Sequence, residues 1–309
     1  MNFELTIPLL VAWLLDRWLG DPAWLPHPVV GFGKMIAWGE RHLNQGRHRK
    51  LKGAVMTVVL DAIVFFATYS LLALLPPMGR AGVGCILIFY CLAGTTLIRE
   101  VREVFRATDR SVEEGRRQVA RIVGRDTSEL SEHEIQTAAL ETLAENLSDG
   151  VIADIFWLSV GGPSAMLTYK MVNTQDSMIG YRTERYRRFG CWAARIDDIA
   201  NYLPARLTAL LMLVVHGRGL VEKGKFVLRN GRNHASPNSG YPEAALAAIL
   251  DCRFGGPHYY FGQLFPKPYI GHNDRPLTTA DMTTAVRVNR MAEVLAIAIL
   301  TLIYCLICN

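Results

Sequence analysis

The sequence predicts an all-α, polytopic integral membrane protein with re-entrant or half-spanning segments and cytoplasmic amphipathic helices. Three observations carry this expectation. Half of the 309 residues are apolar and the mean hydropathy is +0.17, a balance common in membrane proteins and unusual in soluble ones. Long apolar runs recur, each closed by proline, glycine or charge. Lysine and arginine gather beside those runs, so the net charge of +5 reads as an orientation signal and not as a nucleic-acid footprint. No zinc finger or other nucleic-acid signature is present. The expected organisation is one integral membrane domain over 1–309, with a cytoplasmic insert at 99–149 and a central polar region at 173–206.

Leu5 to Leu19 is apolar apart from Asp16 and Arg17. It has no basic leader and no small-residue cleavage pattern, so it is expected to stay as a first spanning or half-spanning helix. Three prolines within Pro22 to Pro28 then forbid a regular helix. Asp16, Asp21 and His27 cluster there, either closing a helix end or contributing to a ligand or phosphate site; Asp16 favours the second, because a charge inside an apolar run is expensive. Arg41 to Lys52 holds five basic residues and no acid. Ala54 to Leu75 is the clearest span, with Asp61 as its one charge, a bundle contact or a pathway residue. After Pro76 and Pro77, Ala81 to Ile98 makes an uncharged second span, and the two form a hairpin. Basic flanks place both of its ends in the cytoplasm and the N-terminus outside.

Arg99 to Glu145 carries both charge signs, with Val101, Val104, Phe105, Val112, Val119 and Ile122 at helical spacing, which predicts amphipathic helices. Ser131 and Glu134 form a capping-box start. In the helix that follows, Glu141, Glu145 and Asp149 share a face and repel. A divalent cation, a triphosphate with magnesium or an arginine from elsewhere would relieve that repulsion, unless the face is simply solvated. Val151 to Val172 is broken at Gly161 to Pro163 and carries Asp154 and Lys170. A re-entrant path is preferred, because a full crossing would put Arg182, Arg185, Arg187 and Arg188 outside. Leu203 to Val215 is too short for a comfortable crossing, and Arg218 to Arg232 is basic again.

Between these two incomplete segments lies the polar stretch that carries the chemistry. Asn173 and Asp176 end one apolar piece; Arg195, Asp197, Asp198, Asn201 and Arg206 lead into the next. Arg195 to Arg206 reads as one helix interrupted near Pro204, with Asp197 and Asn201 one turn apart and Asp198 on an adjacent face. Adjacent aspartates suit magnesium, and arginines match phosphate oxygens. The same pattern also suits an internal ion-pair network in a transporter. Asn233 to Glu243 is a turn-rich knot offering His234, Asn238, Tyr241 and Glu243 as donors and acceptors; a helix is expected over Ala244 to Leu250. Gly255 to Gly262 is a glycine-bounded loop, suited to close ligand approach or to a tight turn. No GxxxxGKS or GxGxxG loop occurs, so a nucleotide site must be built otherwise. Met291 to Cys308 closes the chain as an apolar helix. Cys85, Cys91, Cys305 and Cys308 lie in apolar runs and Cys191 and Cys252 stand alone, so no disulfide framework is expected; the Cys305 to Cys308 spacing lacks a second half.

Six motifs in order, GDPAWLPHPV (20–29), ETLAENLSDG (141–150), KMVNTQDSMIGY (170–181), ARIDDIANYLPARL (194–207), SPNSGYPEAA (236–245) and GGPHYYFG (255–262), resemble the adenosylcobinamide-phosphate synthase family of cobalamin biosynthesis. The resemblance covers nearly the whole chain. It implies a multi-pass protein of the bacterial inner membrane with its active site on the cytoplasmic side. There, an ATP-dependent ligation would join the propionate carboxylate of adenosylcobyric acid to aminopropanol phosphate or ethanolamine phosphate. ATP and Mg2+ are the implied cofactors; the corrinoid, the aminoalcohol phosphate and the lipid membrane are the implied partners, with room for a homo-oligomer or contact with other cobalamin-assembly enzymes. A carboxylate is a poor electrophile, so ATP must activate it, and positive groups must hold the charge at phosphorus. On that reaction Asp197 and Asp198, helped by Glu141 or Glu145, are expected to hold magnesium. Arg195, Arg206 and Lys170 place phosphate and carboxylate; Asn173, Asp176, Asn201, Asn238 and Tyr241 orient substrates; His27 or His234 accepts the ammonium proton. The competing readings are a corrinoid-binding or transporting membrane protein and a non-catalytic membrane sensor.

Overall fold

The computed structural model describes residues 3–22, 24–260 and 262–307. In chain order its helices are α1 (Phe3–Leu19), α2 (Pro28–Leu43), α3 (Arg49–Leu74), α4 (Pro77–Cys91), α5 (Gly94–Arg110), α6 (Val112–Val119) and α7 (Glu132–Leu147). A π-helical turn (Ser148–Ile152) leads to α8 (Ala153–Ile179), α9 (Cys191–Ala200), α10 (Tyr202–His216), α11 (Leu220–Asn230), α12 (Gly240–Leu250) and α13 (Thr279–Ile307). The chain divides into two compact units, one of Met1–Ala93, Ala153–Asn201 and Ile299–Asn309, the other of Gly94–Ile152 and Tyr202–Ala298.

In the first unit α1 packs on α4, and α3 packs on α8 and α9. Helix α3 has the two faces of a span. Gly53, Met56, Thr57, Leu60, Val64, Thr68 and Leu72 form a buried seam at helical spacing, while Leu51, Val55, Val58, Phe66 and Leu74 stay exposed. An uncovered apolar stripe of this length is what a bilayer covers, and 26 residues reach about 39 Å at 1.5 Å per residue. At Gly53 the seam is so tight that a Cβ would fall on the carbonyl oxygen of Phe189.

Helix α8 is not straight. Gly161 (φ −147°) and Gly162 (φ +69°) leave helical geometry just before Pro163, and Gly162 adopts a backbone region that side chains disfavour. Lys170 Nζ lies 2.6 Å from Asp154 Oδ2, although sixteen residues of straight helix would separate them by about 24 Å. Trp157 and Tyr169 stack with centroids 6.4 Å apart. The chain therefore doubles back at Gly161–Gly162, as the re-entrant reading expects.

Four stretches among the described residues are long and apolar enough to cross a membrane: Arg49–Leu74, Pro77–Arg110, Glu132–Ile179 and Thr279–Leu306. The number rises to five if the broken pair α9 and α10 is taken as one span. This is a predominantly helical, polytopic membrane architecture. Within the third stretch, the fold-back in α8 divides the apolar length into short limbs.

The second unit holds the amphipathic helices. Val101, Val104 and Phe105 are buried along α5, and Val119 along α6. Helix α7 starts with the expected capping box: Ser131 Oγ accepts from the Glu134 N–H, and the Glu134 carboxylate accepts from the Ser131 N–H. Helix α12 packs against α10 and α11. Beyond it lie two small antiparallel ribbons, β1 (Phe254–Gly255) with β4 (Tyr269–Ile270) and β2 (His258–Tyr260) with β3 (Gln263–Phe265).

Several boundaries differ from the expectation. The expected span over Ala81 to Ile98 breaks at Leu92, which is extended (ψ 121°). The break in the central stretch, expected near Pro204, falls at Asn201; a proline ring clashes with the backbone four residues earlier, so the helix parts upstream of it. Helix α12 begins at Gly240, four residues early. Helix α13 begins at Thr279, where the Thr278 hydroxyl caps the Asp281 N–H. The glycine-bounded loop contains strands. Cys308, half of the terminal cysteine spacing, lies outside the described residues.

Candidate active site

Each unit has its own buried polar centre. In the second unit a cavity of about 160 Å³ is lined by α7 residues Glu141 and Glu145, by Arg125, by His234 and Glu243 at the entry to α12, and by Gly255, His258, Tyr260 and Lys267 of the ribbon region. Glu141 is bonded at both oxygens. Arg125 Nη2 donates to Oε2 at 2.5 Å, and the Gly255 N–H donates to Oε1 at 2.7 Å. Gly255 sits at φ +73°, and a Cβ there would stand 2.6 Å from the Pro268 carbonyl oxygen, so only glycine presents its N–H in this way.

Arg125 Nη1 lies 2.9 Å from His258 Nε2. A guanidinium has no acceptor, so Nε2 is the acceptor and carries no proton. Burial, then the Arg125 charge, hold the His258 pKa below the usual 6.5. Glu145 Oε1 accepts from Ser239 Oγ at 2.8 Å. His234 Nε2 faces Glu243 Oε1 at 3.6 Å, and its Nδ1 accepts from the Ser236 N–H at 3.0 Å. Burial, and then the neighbouring Glu141 and Glu145 charges, raise the Glu243 pKa well above 4.5, while burial lowers that of His234. Lys267 Nζ donates to Tyr260 Oη at 3.1 Å.

Just beyond, Arg206 joins two of the predicted substrate-orienting residues. Its Nη1 donates to Asn238 Oδ1 at 3.1 Å, and its guanidinium stacks 4.1 Å from the Tyr241 ring. It also donates to the carbonyls of Tyr202 and Pro237, so it clamps the 236–241 turn.

The first unit's centre is built mainly of amides and carboxylates. Asn201 donates to both oxygens of Asp197 at 3.1 Å and accepts from Tyr169 Oη at 2.8 Å. Asn173 Nδ2 reaches Asp197 Oδ1 at 3.5 Å, and Asp176 acts on Asp197 electrostatically, as Arg182 does on Asp198. Lys170 is paired with buried Asp154. Arg195 is exposed, its guanidinium 5.6 Å from the Trp192 ring. His27 caps α2 by accepting from the Val29 N–H at 3.2 Å, lies 3.9 Å from Asp21 and meets Tyr90 edge-on. Asp61 accepts from Gln175 at 2.7 Å.

The structure thus gathers Asn173, Asp176, Asp197 and Asn201 in one unit, and Glu141, Glu145 and His234 in the other, with Arg206, Asn238 and Tyr241 forming a further group there. Among the described residues no group of three or more His, Cys, Asp or Glu side chains is placed to hold a metal ion. Arg125 supplies, at Glu141, the arginine from elsewhere that was one of the expected remedies for the repulsion on this face. Sequence reasoning did not single out Arg125, His258 or Lys267, and treated Glu243 only as a generic donor or acceptor. The sole hint in the sequence was the concentration of polar residues around Asn233 to Glu243 and Gly255 to Gly262.

Fold and centres together define a multi-pass helical membrane protein with buried, charge-rich sites. The chain belongs to the CobD/CbiB family of cobalamin biosynthesis: the family description "CobD/Cbib protein" matches residues 9–289. It is 44% identical over 297 residues to a "Cobalamin biosynthesis protein CobD" of Geobacter metallireducens, covering 94% of this chain and 93% of that one. A protein of the same name from Halalkalibacterium halodurans is 40% identical over 294 residues, 91% of each chain. The "Cobalamin biosynthesis protein CbiB" of Salmonella typhi is 39% identical over 301 residues, 94% of each. No solved structure matches.

Proposed function

We propose that this protein is an ATP-dependent amide ligase of cobalamin biosynthesis, an adenosylcobinamide-phosphate synthase that joins a corrinoid propionate carboxylate to an aminoalcohol phosphate at the cytoplasmic side of the inner membrane. The observation that carries the reading is the second unit's cavity, which opposes cations and carboxylates in one enclosed space. At about 160 Å³ it is smaller than the roughly 300–1,000 Å³ of pockets for drug-sized ligands, so it suits the smallest of the three reactants. Lys267 and Arg125 match a phosphate, and Glu145 and Glu243 match an ammonium group. The amine must lose a proton before it attacks an activated carboxylate, and the His234–Glu243 pair is the acceptor: desolvation raises the proton affinity of the Glu243 carboxylate, which makes it a stronger base. Glu141, with both oxygens bonded, holds Arg125 in place.

For ATP and magnesium we keep Asp197 and Asp198, with Lys170, Asn173, Asp176, Asn201 and Arg195 in the same unit. Magnesium that arrives with a triphosphate needs only one or two protein carboxylates, and this donor set fits that requirement. Bound there, it would supply neutralisation of phosphate charge. Asn201 and Asn173 would fix the Asp197 carboxylate, and Tyr169 would fix Asn201.

Purified protein in detergent, given ATP, magnesium, corrinoid and aminoalcohol phosphate, is expected to consume ATP in step with amide formation. Corrinoid binding without ATP consumption would overturn the ligase reading in favour of a transporter or sensor.

A further inference from the structure

The structure assigns an anionic phospholipid headgroup to a groove in the first unit, where α2 ends and α3 begins. The groove has a volume of about 770 Å³, and its lining includes apolar Ile36, Met178 and Ile179, the arginines Arg41, Arg49 and Arg185, and the carboxylates Glu40 and Glu184. Among the described residues one of these arginines is ion-paired: Arg185 makes two bonds to Glu40, at 3.0 and 2.9 Å. Arg49 donates to Asn44 Oδ1 at 2.6 Å and to the Arg185 carbonyl oxygen. Both acceptors are uncharged, and the only carboxylate that Arg49 is shown to act on among the described residues, Glu40, is already bonded twice by Arg185. The Arg41 guanidinium makes no ion pair among the described residues.

Depth selects the ligand. Arg49 is the first residue of α3, and the exposed apolar stripe of that span starts two residues later at Leu51. The groove therefore lies at the level where acyl chains give way to headgroups. Trp38, 67% exposed on α2 and three residues before Arg41, is an aromatic anchor of the kind found at that level. Arg47, Lys50 and Lys52 add a basic flank, which the charge rule places on the cytoplasmic leaflet, where anionic lipids attract such segments. A soluble phosphate would use the guanidinium groups but not the exposed apolar stripe of α3 that begins at Leu51; a phospholipid uses both.

The test is native mass spectrometry of the full-length protein in detergent, titrated with phosphatidylglycerol or with phosphatidylcholine. Wild-type protein should prefer phosphatidylglycerol. The double substitution Arg41→Gln with Arg49→Gln should weaken that lipid about thirtyfold, from two basic contacts, and leave phosphatidylcholine unchanged. Lysine at both positions should restore most of the preference, which separates charge loss from misfolding. Arg102→Gln with Arg117→Gln, exposed arginines of the second unit, should have no effect. Equal losses in the two glutamine pairs would reduce the effect to net charge and overturn the assignment. So would an undiminished preference in the first pair, or displacement of the lipid by millimolar inorganic phosphate.

Discussion

The two units bury polar groups in different ways. In the first, beside helices that present apolar faces outward, Asp197 is met by the amides of Asn201 and Asn173 and Asp61 by that of Gln175, although Asp154 and Glu40 there are met by Lys170 and Arg185. In the second, charge meets charge around a cavity, as Arg125 meets Glu141, with Lys267 and two histidines nearby. An amide partner satisfies a carboxylate's lone pairs without adding a second ion to desolvate, which suits a helix bundle in lipid. Opposed charges around a space are costly unless something uses them, and perturbed titrations concentrate at such places. On the proposed function, the contrast would separate scaffold and nucleotide handling in one unit from recognition of a small charged reactant in the other.

The largest expected effect tests the first half of that division. Asp198→Ala should abolish turnover while the protein remains in the membrane, as membrane fractionation with an activity assay would show; normal activity would remove Asp198 from the magnesium proposal. The same proposal requires Arg185 on the cytoplasmic side, and a reporter fusion that placed it outside would undo it. Next comes Arg125→Ala, which leaves a buried Glu141 (3% exposed) without its cation and should cost about 3–5 kcal/mol. Thermal unfolding in detergent would read the loss, and replacing both partners should cost less than the sum of the single changes. If the changes simply add, the pair is not the coupled core of the second unit.

Gly53→Ala probes packing in the first unit. Its Cβ would collide with the Phe189 carbonyl, and the expected cost is about 1–3 kcal/mol. That cost should not change between pH 5.5 and 7.5, which distinguishes it from the charge-built unit. The smallest effect is the pH slope itself. Burial lowers the pKa of His258 and His234 from 6.5, so the folded state favours their neutral forms. Their contribution is present above pH 6.5 and is lost as pH falls through the lower folded values. The histidine share of the melting temperature should therefore drop between pH 7.5 and 5.5, against an opposite slope from Glu243, whose raised pKa favours the folded state as pH falls. His258→Gln keeps an acceptor for Arg125 and should flatten part of that drop; an unchanged slope would mean that His258 does not report on the cavity.

How much was legible depended on the range of the interactions. The Ser131–Glu134 box closes within one turn, and the buried face of α5 repeats within one helix, so local spacing predicted both. The fold-back at Gly161–Gly162 was readable because two glycines and a proline break a helix wherever they stand. Arg125 could not be matched to Glu141 in the same way. The two lie in different segments, and the Gly255 N–H that completes the site comes from much further along the chain. The short ribbons were missed because each strand is only two or three residues long, too short to show an alternating pattern.

The sequence by itself determined the membrane class, the main apolar helices, the helix start at Ser131 and the family to which the motifs belong. These follow from composition, periodicity and ordered local residues, which do not depend on distant contacts. Only the tertiary structure decided that Asp197 is held by amides, that Glu141 answers to Arg125, and that His258, Lys267 and Glu243 share a cavity. Such pairings depend on which segments pack together, and burial then decides whether a polar side chain is solvated surface or part of a site.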